Sequence, residues 1–335
     1  MANLKPAHAA AIARLRSYVP PPTQYYSLPL TRRAAVLILL YADKHGELRV
    51  VLTMRAKTLK SYAGQAALPG GKADSLTETP FQTARREAYE EIGLPLSDNK
   101  LPAPYQIEEL CQMPCNLART ELGVRPCVAY ISPNPSYDWP KDKPIPSAEE
   151  VLLPRLDARE VAAVFSAPFH NFLRETDERI EHRSTDAGED VGAEATGFPA
   201  QWYQGMWTDW HESRWRMHNF YVPVAGQTVA WSKPQSSSSP ALGSTSLPYR
   251  DLPRAATAVR QAKDTMKRFR VFGMTARILV DAARQAYDEE PEFEHNSHFG
   301  DEDMIGRLLR IGRLGPIRKP GDELTKEDLE AASRI

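Results

Sequence analysis

Residues 69–94 read PGGKADSLTETPFQTARREAYEEIGL, a glycine turn leading into a short segment that carries three glutamates. Thr79 can N-cap a helix here, Pro80 suits the first helical position, and Gln82 stands where a capping-box partner belongs. Gly93 supplies a C-terminal stop. Phe81, Ala84, Ala88 and Ile92 recur at helical spacing and predict one buried stripe. At ~100° per residue, Glu87 and Glu91 fall within roughly 40° of each other beside that stripe, and Glu90 lies about 60° further round. The three carboxylates can therefore converge on one point.

Such convergence is unfavourable without a cation, because like charges at i,i+4 cost a helix roughly 0.2–0.5 kcal/mol per pair. Arg86, four residues before Glu90, offsets part of this, whereas Glu87 and Glu91 have no lysine opposite them on the helix. A hard divalent cation would supply the missing charge, since Mg²⁺ takes oxygen ligands and keeps waters for a phosphate substrate. The alternative is a solvated acidic face. Gly70-Gly71 tips the balance toward a site, because backbone without a side chain can approach a ligand closely and offer a carbonyl to the same ion.

The glycines, Glu78 and the REAYEEIGL run of residues 86–94 resemble the Nudix box, G-x5-E-x7-R-E-U-x-E-E-x-G-U with U aliphatic. The match from Arg86 to Leu94 is close, with the small Ala88 at the first U. Upstream the chain departs from the pattern: six residues, not five, separate Gly71 from Glu78, which puts the role of Glu78 in question. That extra residue resembles one branch of the family, the coenzyme A diphosphatases. So does LTMRAKTLKSYAGQAALPGGKAD (52–74), with Arg55, Leu59, Gly64, Gln65, Pro69, Lys72 and Asp74 in register. REVAAVFSAPFHNFL (159–173) and VFGMTARILVDAA (271–283) resemble two further segments of that branch. Tyr62 stands where the branch usually has histidine, and Leu68 where it has phenylalanine.

Whole-chain properties exclude several other classes. A chain of 335 residues with 42% hydrophobic and 25% charged residues has the composition of a soluble globular protein. A formal net charge of −1 gives no global field for nucleic acid or a membrane surface. Three cysteines, Cys111, Cys115 and Cys127, do not read as a disulfide framework, and core thiols are expected. There is no apolar run of membrane-spanning length and no signal-peptide core in residues 1–20.

AAVLILLY (34–41) and LRVVLTMR (48–55) predict a β-hairpin feeding the core, and VRPCVAYI (124–131) and MHNFYVPV (217–224) predict further strands. FRVFGMTARILVDAARQAY (269–287) reads as one amphipathic helix. The domain reading is an N-terminal extension over 1–30 with a helix from Ala7 to Tyr18, a Nudix domain over 31–285, and a C-terminal tail over 286–335, taken as a solvated appendage. Two insertions interrupt the domain, at about 174–214 and 232–262. Trp202, Trp207, Trp210 and Trp215 cluster at the first, and core packing competes there with a base-stacking role.

The resemblance implies an α/β class, the Nudix α/β/α sandwich with a mixed sheet. It implies Mg²⁺ or Mn²⁺ as cofactor, with Glu87, Glu90, Glu91 and the Gly71 carbonyl as metal ligands. Arg86 corresponds to the family's orienting arginine. Glu87 and Glu90 are candidates for the general base within the helix, and Glu160 outside it. Arg55, Gln65 and Lys72 are the expected substrate-binding residues. The implied reaction is hydrolysis of the diphosphate of coenzyme A, acyl-CoA or CoA disulfide to adenosine 3′,5′-bisphosphate and a 4′-phosphopantetheine product. A Nudix hydrolase of oxidised nucleoside triphosphates and a non-catalytic Nudix-fold module are the competing readings. The expected partner is a small molecule, with neither nucleic acid nor membrane. The ending Ser333-Arg334-Ile335 resembles a degenerate peroxisomal address, leaving peroxisome or cytoplasm as expected locations.

Overall fold

A computed structural model of the chain describes residues 4–55, 65–140, 143, 145–152, 161–178, 201–210, 213–225, 227–231, 268–317 and 324–334. The sheet at its centre is built on β1 (Arg33–Ala42), the apolar run singled out above. β2 (Leu48–Arg55) returns antiparallel to it through a turn in which the Asp43 carboxylate accepts from the amides of His45 and Glu47. The short β3 (Ala66–Ala67) pairs with β2, and β4 (Gly70–Lys72) pairs antiparallel with the start of β1. On its other side β1 runs parallel to β7 (Gly123–Pro133), which is flanked by β5 (Tyr105–Gln112) and β6 (Asn116–Leu117). β8 (Val161–Pro168) and, far along the chain, β11 (Ala230–Trp231) extend the β2 edge. The order is β11-β8-β2-β1-β7-β5, a mixed sheet.

Alternation along β1 explains the layers. Ala35, Leu37, Leu39 and Tyr41 pack against α2 (Pro80–Ile92) through Ala84, Ala88 and Ile92. Ala34, Ile38 and Leu40 face the opposite cluster, where α1 (Pro6–Ser17) and α4 (Gly273–Tyr287) supply Ile12, Leu15, Ile278 and Leu279. A strand covered on both faces must be apolar at nearly every position, which is why residues 34–41 show no alternation. This is the α/β sandwich with a mixed sheet that the sequence predicts. A brief α3 (Ala148–Val151) lies between β7 and β8.

A second sheet has the order β12-β10-β9: β9 (Tyr203–Trp210), β10 (Ser213–Pro223) and β12 (Arg268–Phe272). Two expectations change here. Residues 269–272, read as the start of a helix, are strand; Phe269 and Val271 sit buried opposite Val222 and Phe220, and the helix begins only at Gly273, whose φ of +63° turns the chain. Within the span read as an insertion, β9 forms a hairpin with the predicted strand β10.

The ends of the chain are also more integrated than the sequence suggests. α1 buries Ala11, Ile12 and Leu15 against the sheet and α4, with His8 bonded to Tyr287 at 2.8 Å. The tail folds into α5 (Glu302–Arg310) and α6 (Lys326–Ser333), whose Ile305, Leu308 and Ala332 join Tyr25, Leu28 and Cys115 in a third cluster. Ion pairs from Arg277 to Asp301 (2.9 Å) and Arg125 to Glu302 (2.8 Å) fasten it to the body. All three cysteines are buried and free, with their thiols pushed up by burial. No helix among the described residues is long and apolar enough to cross a membrane.

Candidate active site

α2 begins as its sequence dictates. The Thr79 hydroxyl accepts from the Gln82 amide at 3.2 Å, the Gln82 side chain accepts from the Thr79 amide at 2.8 Å, and Gly93 closes the helix in the left-handed conformation. With its apolar stripe on β1, the helix lays its carboxylates beside β4. A Cβ built on Gly71 would lie 2.5 Å from Glu87 Oε2, so the glycine is what admits this carboxylate. Glu91, 8% exposed, accepts from the Gly70 amide at 3.2 Å and sits 3.9 Å from Arg55 Nη1. Burial raises the proton affinity of Glu87, a shift that the neighbouring Arg86 only partly opposes.

Arg86 is the hub of this face. Its Nε donates to Glu78 Oε1 at 2.9 Å, its Nη1 to Glu87 Oε1 at 3.1 Å, and its Nη2 to the Lys72 carbonyl at 2.7 Å. Glu90, the most exposed of the three helix carboxylates, is a weaker partner at 3.4 Å. These bonds raise the Arg86 pKa, the one to Glu78 contributing most. Burial works against ionisation of Glu78, but its bonds to Arg86 and the Asp74 amide prevail and hold its pKa below the ordinary value. The extra residue between Gly71 and Glu78 thus does not displace Glu78 from the arginine. Glu87 and Glu91 are not free of cations either: Arg86 and Arg55 reach them, Arg55 from a different strand.

Among the described residues, no three His, Cys, Asp or Glu side chains stand as a ready metal cluster. Glu87 meets Gly71, Glu91 meets Gly70, and Glu90 stands outermost. The oxygen-only donor set, the glycine cradle and the excess of carboxylates over guanidiniums nevertheless fit a hard divalent cation. Glu160 lies outside the described residues.

Beside β4 opens a cavity of about 1130 Å³, and Arg55, Gln65, Gly70, Gly71 and Lys72 line it. The three expected substrate-binding residues are therefore brought to one cavity. The lining also includes Arg119, Thr208, Trp215 and Phe272, which the motifs did not single out as substrate contacts. The tryptophan cluster near the first insertion was the signal pointing toward Trp215.

Comparison with known proteins follows this geometry. Residues 31–110 match the NUDIX domain. They form a Nudix domain. Peroxisomal coenzyme A diphosphatase 1 of Saccharomyces cerevisiae is 33% identical over 218 residues, covering 64% of this chain and 61% of its own. Nudix hydrolase 15, mitochondrial, of Arabidopsis thaliana is 36% identical over 152 residues, 45% of each chain. Peroxisomal coenzyme A diphosphatase ndx-8 of Caenorhabditis elegans is 31% identical over 153 residues, 45% of this chain and 53% of that one. The chain thus spans less than two thirds of each of these relatives. The Nudix match contains β1, β2, β4 and the whole of α2 with its glutamates.

Proposed function

We propose that this Nudix chain is a metal-dependent hydrolase that cleaves the diphosphate bond of coenzyme A, acyl-CoA or CoA disulfide, releasing adenosine 3′,5′-bisphosphate and a 4′-phosphopantetheine product. The observation that carries the reading is the meeting of Gly71 with Glu87 at the edge of a cavity lined by Arg55, Gln65 and Lys72. The resemblance of residues 52–74 to the coenzyme A branch and the printed names of two relatives support the substrate. Those names also support a peroxisomal location.

Glu87 and Glu91, with Glu90 and the Gly71 carbonyl, are the groups we assign to Mg²⁺ or Mn²⁺. When bound, such an ion neutralises phosphate charge and makes an attacking hydroxide available near neutral pH. The chain's own part is positioning. Arg86 ties Glu78, Glu87 and the Lys72 carbonyl together, fixing β4 against α2. Arg55 and Lys72 bring positive charge to the wall where phosphate oxygens would lie, and in a partly enclosed site such preorganised charge acts strongly. Glu87, whose burial favours its protonated form, and Glu90 are the helix candidates for holding a proton, with Glu160 the candidate outside it.

The test is to incubate purified protein with Mg²⁺ and separate pools of coenzyme A, acyl-CoA and oxidised dGTP, then separate the products. Adenosine 3′,5′-bisphosphate from a CoA species is the expected result. Its absence from every CoA pool overturns the substrate assignment, and turnover of oxidised dGTP alone selects the nucleotide-cleaning alternative. Glu91→Gln should reduce turnover to background with the far-ultraviolet circular dichroism unchanged. Retained activity would remove Glu91 from the metal site.

A further inference from the structure

Resting on the diphosphatase reading, we propose that Trp215 and Arg119 form a nucleoside-phosphate subsite in the cavity that Gly71 and Lys72 also line. The indole stacks on a purine ring, and the guanidinium binds a phosphate monoester separate from the diphosphate.

The second sheet supplies the aromatic part of this subsite. Along β10, Phe220 and Val222 point into the core, and alternation places Trp215 and Met217 on the other face. Thr208 is directly opposite Trp215 on β9, Phe272 comes from β12, and all four residues line the cavity. The tryptophans of this region have separated into distinct roles. Trp202 is 1% exposed and its indole N–H donates to the Asn171 carbonyl at 2.8 Å, a core residue. Trp207 lies outside the cavity, where its indole N–H donates to Glu294 at 2.6 Å and its ring meets the Arg216 guanidinium at 5.4 Å. Trp215 has neither a hydrogen bond nor a ring contact among the described residues, and it faces the cavity. A flat, unclaimed aromatic surface in a phosphate-binding cavity suits a nucleobase, because every base offers a π-face to stack.

Charge on the rim supplies the second half. Five cations line the cavity: Arg32, Arg55, Lys72, Arg119 and Arg277. Arg32 is held by Glu121 at 2.6 Å, Arg277 by Asp301 at 2.9 Å, and Arg55 stands 3.9 Å from Glu91. Lys72 and Arg119 have no carboxylate partner among the described residues. They flank the start of β1: Lys72 pairs with Ala34 from β4, while on the other side β7 pairs Val124 with Ala34. Arg119 projects from the turn before β7, which is closed by the Glu121 amide on the Ala118 carbonyl at 2.7 Å. Two strand spacings, about 10 Å, separate the Lys72 and Val124 backbones, and the Arg119 turn lies beyond them, where β6 pairs with β7. Lys72 is beside the glutamates, where a diphosphate would react. Arg119, across β1 from it, suits a further phosphate joined to the diphosphate through a sugar.

The experiment measures calorimetric binding of adenosine 3′,5′-bisphosphate and of adenosine 5′-monophosphate to the full chain without metal. Wild type should prefer the bisphosphate. Arg119→Ala, an exposed position, should reduce that preference about tenfold while leaving the monophosphate affinity unchanged. Trp215→Ala should weaken both ligands about tenfold, and Trp215→Phe should restore most of the loss. Thermal melting verifies that each variant folds. No preference in wild type, or a preference kept by Arg119→Ala, overturns the phosphate assignment. Undiminished binding by Trp215→Ala, with loss only of long-chain acyl-CoA turnover, gives this part of the cavity to an acyl chain and overturns the base assignment. A wild type that binds with the stated preference yet cleaves no CoA species overturns the diphosphatase reading and leaves the subsite standing.

Discussion

Two adjacent glycines should respond to the same substitution in opposite ways. In Gly71→Ala the new methyl would sit 2.5 Å from Glu87 Oε2. Contact at about 3.5 Å requires the carboxylate to retreat by about 1 Å. Gly71 has no positive φ, and the crowded atoms are the free end of a side chain, so folding stability should change by less than about 1 kcal/mol. Activity should not be spared, because a 1 Å misplacement at a reacting centre can cost about 100-fold. In Gly70→Ala the methyl would lie 2.6 Å from the Val36 Cα, in the central strand, and beside the Ala35 carbonyl. Backbone in the middle of a sheet cannot swing away, and a loss of about 3 kcal/mol or more is expected, at the upper end of overpacking costs. Urea unfolding gives the stabilities, initial rates with Mg²⁺ and coenzyme A give the activity, and Mn²⁺ titration followed by electron paramagnetic resonance reads the metal without turnover. A Gly71→Ala protein with wild-type rate and wild-type Mn²⁺ affinity would show that the Gly71–Glu87 contact is packing and not part of a site.

The tail and the histidine cluster yield two further predictions. Glu121→Gln removes the charge facing Arg32, in a pair whose side chains are 6% and 4% exposed, and weakens the acceptor of the Leu324 amide; a loss of about 3–5 kcal/mol is expected, and an unchanged urea midpoint would refute it. His170 is partly buried, which lowers its pKa, but hydrogen bonds to Glu178 (2.7 Å) and Glu289 (2.9 Å) outweigh burial and leave it raised. Its contribution to stability should be complete below the ordinary imidazole value of about 6.5 and fade as pH rises through the raised folded value. The melting-temperature gap between wild type and His170→Gln should therefore be wider at pH 6 than at pH 9, and an equal gap would exclude the ion pairs as its source. Glu178, drawn down from the ordinary carboxylate value to about 2 by the same histidine and by Arg174 against its own burial, should contribute fully above that ordinary value and lose its contribution progressively as the pH falls from there toward 2.

What was legible in the sequence is local. The Thr79–Gln82 box, the Gly93 stop and the stripe from Phe81 to Ile92 need only neighbours within one helix, and the helix forms where they predict. The two-sided burial of β1 is legible because it removes alternation. Contacts remote in sequence are not legible. Phe269 and Val271 satisfy a helical stripe as well as a strand, and only pairing with β10, some fifty residues earlier, selects the strand. Arg32–Glu121, Arg125–Glu302 and Arg277–Asp301 join segments that carry no mutual signal, so the tail reads as solvated. Glu78 was half legible: its distance from Arg86 was right, but nothing in the sequence shows that the longer loop still closes, through the Asp74 amide.

Electrostatics divide the labour around the cavity. On the α2 side, Asp74, Glu78, Glu87, Glu90 and Glu91 confront two guanidiniums, those of Arg86 and Arg55. Arg86 contacts four of these carboxylates and Arg55 one, so the negative charge is arranged but not neutralised. A diphosphate brought to this side as it stands would add like charge to like. That excess of carboxylates over guanidiniums supports the divalent cation proposed above. Elsewhere in the cavity lining the balance reverses: Arg119 has no carboxylate partner among the described residues, and Trp215, Phe272, Met217 and Met274 line the same cavity. The second sheet, which supplies Trp215 and Phe272, comes from strands at residues 203–223 and 268–272, outside the Nudix match at 31–110. On the proposed reading, changes there should alter which phosphate ester is accepted without touching the carboxylates assigned to the metal. Under the two proposals, selectivity is separable from chemistry: Trp215 and Arg119 should govern discrimination between substrates, whereas Glu87 and Glu91 should govern the rate on all of them.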